Sequence, residues 1–136
     1  MTYFDYKSNG EQFRRDIIAQ TRAMICRHMQ ISEYDGVSLL TRCKGYDLQI
    51  LFSESQPVMI LCFSAPISNP CTECMCITLN ELNLKGILGS YALNKELNCF
   101  SYRAARWLDG PLSSDLFFAF LNHCVDEANL GFGKLH

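Results

Sequence analysis

The residues best suited to chemistry in this chain are its eight cysteines and three histidines. The densest group is Cys71-x-x-Cys74-x-Cys76, which together with a histidine could supply four tetrahedral ligands for zinc. No second paired cluster of cysteine or histidine accompanies it. A helix beginning at Thr72 would direct Cys74 and Cys76 about 200° apart, so the two thiols could not bind one ion. We therefore expect neither a metal nor a cofactor.

A cysteine nucleophile needs a base within hydrogen-bonding reach, and Cys124 directly follows His123. Adjacent residues of a helix do not face each other, which argues against that pair. His28 falls within the apolar arc of a predicted helix, where a core histidine bonded to a backbone carbonyl is the commoner explanation. Asp126 and Glu127 are neighbours on a helix surface and indicate solvated charges. The sequence also lacks a phosphate-binding glycine motif, so it predicts a protein that is not an enzyme.

Composition limits the class of protein further. With 136 residues and 49% apolar composition, the chain can form one domain, residues 1–136, with a sizeable core. The 12 basic and 14 acidic residues give a net charge of −2, which does not favour nucleic acid as a partner. Neither a membrane-spanning run nor a signal-peptide pattern is present in the sequence, so we expect a soluble cytoplasmic protein with no membrane partner and all eight cysteines reduced.

Periodicity in the first half of the chain predicts a helix and a meander of strands. Ser8 and Glu11 have the spacing of a capping box, and a 100° rotation per residue places apolar side chains including Phe13, Ile17 and Ile25 in one arc, so we expect a helix over about residues 10–29. Short breaks then separate three strand-like runs, which predicts antiparallel pairing. These runs lie at residues 37–43, 46–53 and 57–64. The last is apolar on both faces, which indicates a central strand.

The second half predicts helix, hairpin and helix. After a loop marked by Pro66 and Pro70, we expect a helix over 72–83. We then expect strands at 91–93 and 97–106 joined by a turn at Asn94-Lys95. Ser113 or Ser114 should cap a closing helix that ends at Gly131. The resulting order αβββαββα predicts an α+β fold with helices packed on a twisted antiparallel sheet.

Candidate binding residues lie in this second half. The apolar arc of the closing helix is wider than one sheet requires, and the hairpin presents an outer edge, so a homodimer would cover both. Arginines near an aromatic side chain can anchor a protein partner, although an outer strand face with extended arginines is the alternative explanation. The candidates for a partner or dimer interface are Tyr91, Tyr102, Arg103, Arg106, Trp107, Phe117 and Phe118.

These features resemble two related families over roughly residues 11–130. Asn80 and Asn83 match an Asn-x-x-Asn motif at the end of the middle helix, and Tyr91 matches the aromatic residue that opens the next strand; Leu82 stands where many relatives have tryptophan. The chain thereby resembles the YbjN family and the class I type III secretion chaperones. Both are bacterial, and neither is similar to an enzyme.

The YbjN resemblance implies a cytoplasmic interaction module with a regulatory or chaperone-like role, and we take it as the leading hypothesis. The chaperone resemblance implies a homodimer that binds an extended segment of a secreted effector along apolar grooves. A small cysteine-dependent or zinc enzyme is the third and most distant alternative.

Overall fold

The structure, a computed structural model, describes residues 3–34, 38–53 and 55–135. Within these residues the chain forms three helices and six strands, and the predicted α+β fold is confirmed. In chain order the elements are α1 (Tyr3–His28), β1 (Glu33–Tyr34), β2 (Ser38–Cys43), β3 (Tyr46–Phe52), β4 (Val58–Pro66), α2 (Glu73–Asn83), β5 (Gly89–Asn94), β6 (Cys99–Trp107) and α3 (Ser114–Gly133). The short strand β1 is the one element that the sequence did not predict, and Val37, the predicted start of β2, lies outside the described residues.

All six strands pair antiparallel in one sheet, in the order β1-β2-β3-β4-β6-β5. Strands β2, β3 and β4 form the predicted meander. After α2, the chain returns to the sheet as a hairpin, with β6 against β4 and β5 at the edge. The apolar strand β4 therefore occupies the central position that its sequence predicted.

Helix α1 begins earlier than predicted, at Tyr3, so Ser8 lies inside the helix and does not cap it. Its inward face is formed by residues spaced four apart, Ile17, Thr21 and Ile25, all of which are buried. The Thr21 hydroxyl accepts a hydrogen bond from the backbone N–H of Leu112 at 3.3 Å, which joins α1 to the entrance of α3. Phe13, placed in the predicted apolar arc, is instead exposed.

Helices α2 and α3 begin with hydroxyl caps, of which the one at Ser113 was predicted and the one at Thr72 was not. The Thr72 hydroxyl accepts the N–H of Met75 at 3.2 Å, and the Ser113 hydroxyl accepts the N–H of Leu116 at 3.3 Å. Helix α3 nevertheless continues past Gly131, contrary to the prediction. A Cβ at Gly131 would overlap the ring of Tyr91, so glycine here permits close packing and does not end the helix.

The hairpin between β5 and β6 turns through residues 95–98, not at Asn94-Lys95 as predicted. Asn98 supplies the positive φ of the turn, at 49°. Its side chain donates to the carbonyls of Ile67 and Asn69 at 2.8 and 3.1 Å and accepts the N–H of Cys71 at 2.9 Å. The turn is thereby joined to the loop that leads into α2.

The core lies between the sheet and helices α1 and α3. Its centre is a group of aromatic rings with centroids 5.3 to 6.4 Å apart, which includes Tyr46, Phe63, Phe100, Tyr102 and Phe132. Among the described residues, none of the helices combines the length and apolar character needed to cross a bilayer.

Candidate partner-binding site

The two faces of the sheet differ in their environment. Alternate residues on each strand point inward and are buried, as at Tyr46, Leu48, Ile50 and Phe52 of β3. The intervening residues form what we call the outer face. It comprises Leu40, Arg42, Asp47, Gln49, Leu51, Val58, Ile60, Cys62, Ser64, Ser90, Ala92, Asn94, Cys99, Ser101, Arg103, Ala105 and Trp107. Each of these is half-buried or exposed, so none of the described helices packs across this face.

One end of the outer face is apolar. The strand register aligns Leu51, Ile60 and Ala105 in a row across β3, β4 and β6. In the next row, Val58 lies opposite Trp107, whose side chain is 59% exposed. A row of half-buried and exposed aliphatic groups beside an exposed indole is typical of a surface that binds another protein.

The other end of the outer face is polar and forms a groove of ≈ 440 Å³. Its lining includes Gln49, Cys62, Ser64 and Ser101, and the rim carries an ion pair of Arg42 with Asp47 at 2.7 Å. These side chains offer hydrogen-bond donors and acceptors to a bound chain. The outer face therefore combines an apolar region with a hydrogen-bonding region.

Cys62, the cysteine that lines this groove, is not suited to act as a nucleophile. Cys62 lies opposite Arg103 on the neighbouring strand. Burial raises the pKa of the Cys62 thiol, and the hydrogen bond and positive charge of Arg103 only partly oppose that shift. A thiol with a raised pKa remains protonated and unreactive at neutral pH.

The seven residues predicted to form an interface differ in whether they lie at the surface of the structure. Arg103 and Trp107 project from the outer face, as required for binding. Arg106 points to the inner side, where its guanidinium lies 5.6 Å from the ring centroid of Phe120. Phe118 is half-buried, with its ring 5.2 Å from that of Phe117.

The remaining three predicted interface residues, Tyr91, Tyr102 and Phe117, are in the core and offer no surface to a partner. Helical periodicity could not reveal that the inward side of α3 extends far enough to cover part of Phe118. The hairpin edge is also covered, because the Asn83 side chain bonds both the N–H and the carbonyl of Tyr91, at 2.7 and 3.0 Å.

Glu127 is the residue whose role the sequence analysis missed. It is not a solvated charge: its carboxylate accepts the backbone N–H groups of Ile87, Leu88 and Gly89 and the hydroxyl of Tyr102, the last at 2.6 Å. Burial acts to raise the pKa of Glu127, but these four donors together hold it below its ordinary value. The carboxylate thus joins α3 to the segment between α2 and β5. No spacing rule connects residue 127 with residues 87–89, which explains the omission.

The cysteine and histidine candidates do not meet. Cys124 is fully buried and its pKa is raised to about 12 by burial, whereas His123 beside it is exposed. His28 is exposed, so the expectation of a core histidine was wrong. Within the described part of the chain, no three potential ligands come together as a metal site would require.

Comparison with known proteins bears on the fold. No protein-family model and no curated protein matches the sequence. YbjN of E. coli, named in its crystal structure as a candidate transcription regulator, superposes with a TM-score of 0.65 and 12% identity over 85% of this chain and 87% of that chain. The chain has a YbjN-like fold. A chain of the HopA1-SchA chaperone-effector complex also superposes, with a TM-score of 0.60 and 9% identity, over 91% of this chain and 96% of that chain. The predicted fold resemblance is thereby confirmed.

Proposed function

We propose that this YbjN-like chain is a non-enzymatic protein-interaction module with a regulatory or chaperone-like role, which binds an extended segment of a partner protein on its outer face. The observation that carries the proposal is the outer face itself, which has no described helix across it and presents an exposed Trp107 beside an aliphatic row. The YbjN-like and chaperone-like fold supports the proposal.

The two ends of the outer face suit different parts of an extended segment. Apolar side chains of the partner would pack on Leu51, Ile60 and Trp107 at one end. Its backbone amides would bond to Gln49 and Ser101 at the other end, where the groove is lined with side-chain donors and acceptors. Such binding requires no catalytic group.

Site-specific crosslinking tests this proposal. A photo-reactive amino acid at Ala105, in the aliphatic row of the outer face, should yield a discrete crosslinked partner in cells that express the protein natively. The same amino acid at Asn122, exposed on α3, is the matched control and should not. If both positions give the same products, or if Trp107→Glu leaves the Ala105 product unchanged, the outer face is not the binding surface.

The type III secretion chaperone is the second candidate, and the match to a chain of a chaperone-effector complex favours it. Under this alternative, the crosslinked partner is a single secreted effector and the contacted segment has no globular fold of its own. A folded regulatory protein crosslinked at Ala105 would contradict the chaperone function and support the regulatory one.

We further propose that the protein is a homodimer, with a contact different from the predicted one because Tyr91, Tyr102 and Phe117 are buried. The most exposed aliphatic side chains lie between α2 and β5: Leu84 is 82% and Ile87 is 89% exposed. Ile87→Asp should therefore convert dimer to monomer in sedimentation experiments and leave the circular dichroism unchanged. Leu116→Asp, at an exposed position on α3, is the control. A wild-type chain that sediments as a monomer at high micromolar concentration contradicts the dimer.

A further inference from the structure

A second groove lies between α1 and the end of β3, on the side of the sheet opposite to the outer face. It has a volume of ≈ 490 Å³ and is lined by Arg15, Ile18, Ala19, Arg22, Phe52 and Ser53. An adjoining hollow shares Arg15 and Ile18 with it and extends along α1 to Arg14. Residues three and four apart lie on one side of a helix, so these arginines alternate with aliphatic groups along the wall of the groove.

Among the described residues, Arg22 contacts two aromatic rings and forms no ion pair. Its guanidinium carbon lies 5.1 Å from the ring centroid of Phe52 and 5.9 Å from that of Tyr34. Its Nε is buried, and no hydrogen-bond partner for it exists among the described residues. The aromatic contacts occupy the faces of the guanidinium, so its terminal NH₂ groups are the donors that a planar acceptor in the groove can reach.

A second arginine at the same end of the sheet has the same character. Arg106 lies in register with Met59, which in turn pairs with Phe52, so the three residues form one row on the inner face. The guanidinium of Arg106 lies over Phe120, and its Nε is also buried without a partner among the described residues. Arg106 does not line the groove, so the ligand contacts there fall to Arg15 and Arg22.

The charge in this region is positive although the whole chain carries −2. In the described residues the ion pair is that of Arg42 with Asp47, at the other end of the sheet, so Arg14, Arg15 and Arg22 are not neutralised by ion pairs there. Glu11, in the adjoining hollow, is one carboxylate against these three cations. The region therefore complements a ligand with several carboxylates.

We propose that this groove binds an acidic segment of a protein partner, with a carboxylate on Arg22 and Arg15 and a neighbouring apolar side chain against Ile18 and Phe52. Bidentate pairing of guanidinium with carboxylate supplies the polar contact. The aliphatic and aromatic lining favours a peptide over a phosphate polymer, whose charged backbone would leave Ile18, Ala19 and Phe52 without a contact. The proposal deepens the proposed function by naming partner chemistry, and it rests on the protein being a binding module.

Glu54 is a second candidate competitor within the chain, besides Glu11. It lies in sequence between Ser53, which lines the groove, and Ser55, which lines the adjoining hollow, and it is outside the described residues. If its carboxylate competes for the arginines, Glu54→Gln should tighten the binding of an acidic peptide. If it does not, the variant should bind like the wild-type protein.

The test uses fluorescence anisotropy with a labelled twelve-residue peptide of alternating Glu and Leu. The matched probe replaces every Glu with Gln. The full chain should bind the acidic peptide at least about tenfold more tightly than its Gln counterpart. Arg22→Gln should remove that preference. Arg22→Lys should restore only part of it, because lysine keeps the charge but not the planar fork.

Arg27→Gln is the control variant, since Arg27 is exposed near the end of α1, does not line the groove, and its substitution changes the net charge equally. It should alter the affinity by less than about twofold. If Arg22→Gln and Arg27→Gln weaken the affinity for the acidic peptide equally, the peptide is attracted only by the overall charge of the protein, and the proposal is overturned. An equal affinity for the two peptides, or the absence of Arg22-dependent binding at millimolar peptide, would also overturn it.

Two further arms identify the class of ligand and separate this proposal from the previous one. Heparin and a single-stranded oligonucleotide should bind more weakly than the acidic peptide. If either binds more tightly and the binding depends on Arg22, the ligand of the groove is a sulfate or phosphate polymer and the peptide proposal is wrong. Crosslinking at Ala105 reports on the outer face alone. If the wild-type protein shows no preference for the acidic peptide but gives the Ala105 crosslink, only the proposal for the arginine groove is refuted. If it prefers the acidic peptide but gives no Ala105 crosslink, only the proposal for the outer face is refuted.

Discussion

Replacing Glu127 with Gln should destabilise the fold through the segment between α2 and β5. The carboxylate accepts the N–H groups of Ile87 and Leu88 on Oε2, at 3.1 and 3.3 Å, and those of Leu88 and Gly89 on Oε1, at 3.2 and 2.8 Å. Tyr102 donates to Oε1 as well. The amide oxygen of a glutamine can replace one of the two carboxylate oxygens as acceptor. Its NH₂ group then takes the place of the other oxygen and faces N–H groups that it cannot accept.

The expected loss follows from counting these bonds. Hydrogen bonds to a charged group contribute roughly 1.5–3 kcal/mol each, and a buried donor left without a partner costs a similar amount. The N–H groups of Ile87 and Leu88 belong to exposed residues, so water replaces part of what is lost. We therefore expect Glu127→Gln to lower the free energy of unfolding by about 2 kcal/mol. For a chain of this size that is a fall of roughly 6–10 °C in Tm.

Urea unfolding followed by circular dichroism measures this loss. Asp126→Asn is the matched control, because Asp126 is the exposed neighbour of Glu127 on α3 and its substitution changes the charge equally. It should shift the stability by less than about 0.5 kcal/mol. Equal midpoints for wild type and Glu127→Gln would refute the assignment of Glu127 as the anchor of this segment.

The pH dependence gives an independent check. The folded-state pKa of Glu127 is lowered, so its contribution is fully present above the unfolded value of about 4.3 and is lost as pH falls through the folded pKa. The gap in stability between wild type and Glu127→Gln should therefore be complete at pH 7 and should close as the pH falls below about 4. A gap that persists unchanged in acid would mean that the charge contributes nothing.

Three further predictions concern packing, alkaline stability and thiol reactivity. Gly131→Ala should cost about 1–3 kcal/mol in urea unfolding because the new Cβ would overlap the Tyr91 ring, whereas Gly133→Ala, with open space around its Cβ, should cost nothing. Burial raises the pKa of Tyr91 from 10.0 and that of Cys124 from 9.0, each to about 12, so stability should be complete below pH 9 and fall between pH 9 and 12. That fall should be smaller in Tyr91→Phe, and urea midpoints across this range check it. In native protein, exposed Cys26 and Cys74 should react with a thiol reagent long before buried Cys124, and all eight cysteines should react after denaturation without reductant. Mass spectrometry that finds two or more stable disulfides in protein from a reducing cytosol would contradict the last prediction.

The elements that local patterns specify were predictable from the sequence. Period-two alternation in β3, the unbroken apolar run of β4 and the hydroxyl cap at Ser113 all depend on neighbouring residues, and each is confirmed. The Asn-x-x-Asn resemblance identified the fold, and the structure gives Asn83 a physical role, because its side chain holds the backbone of Tyr91.

The misinterpreted positions depend on contacts between distant parts of the chain. Gly131 has the signature of a helix end, yet it is glycine because Tyr91, forty residues earlier, packs against it. Asn98, not Asn94, takes the positive φ, and its amide is bonded to the loop at Ile67 and Asn69. Periodicity alone could not separate the proposed binding residues of α1 and the outer face from core residues or from solvated ones. For example, an arginine stacked on an aromatic ring has the same sequence pattern as a solvated arginine.

The closure of the β5 edge decides how a partner can bind. A strand edge can recruit an extended segment by adding a strand, but that mode needs unpaired backbone groups. At β5 the outward N–H and carbonyl of Tyr91 are bonded to Asn83, and the outward N–H of Gly89 is bonded to Glu127. At the opposite edge, β1 is only two residues long. Strand addition is therefore disfavoured at Gly89 and Tyr91 of β5, and the proposed binding relies on side-chain contacts on the outer face and in the arginine groove. Asn83→Ala, which frees the Tyr91 backbone, would open the β5 edge and should promote concentration-dependent association through it.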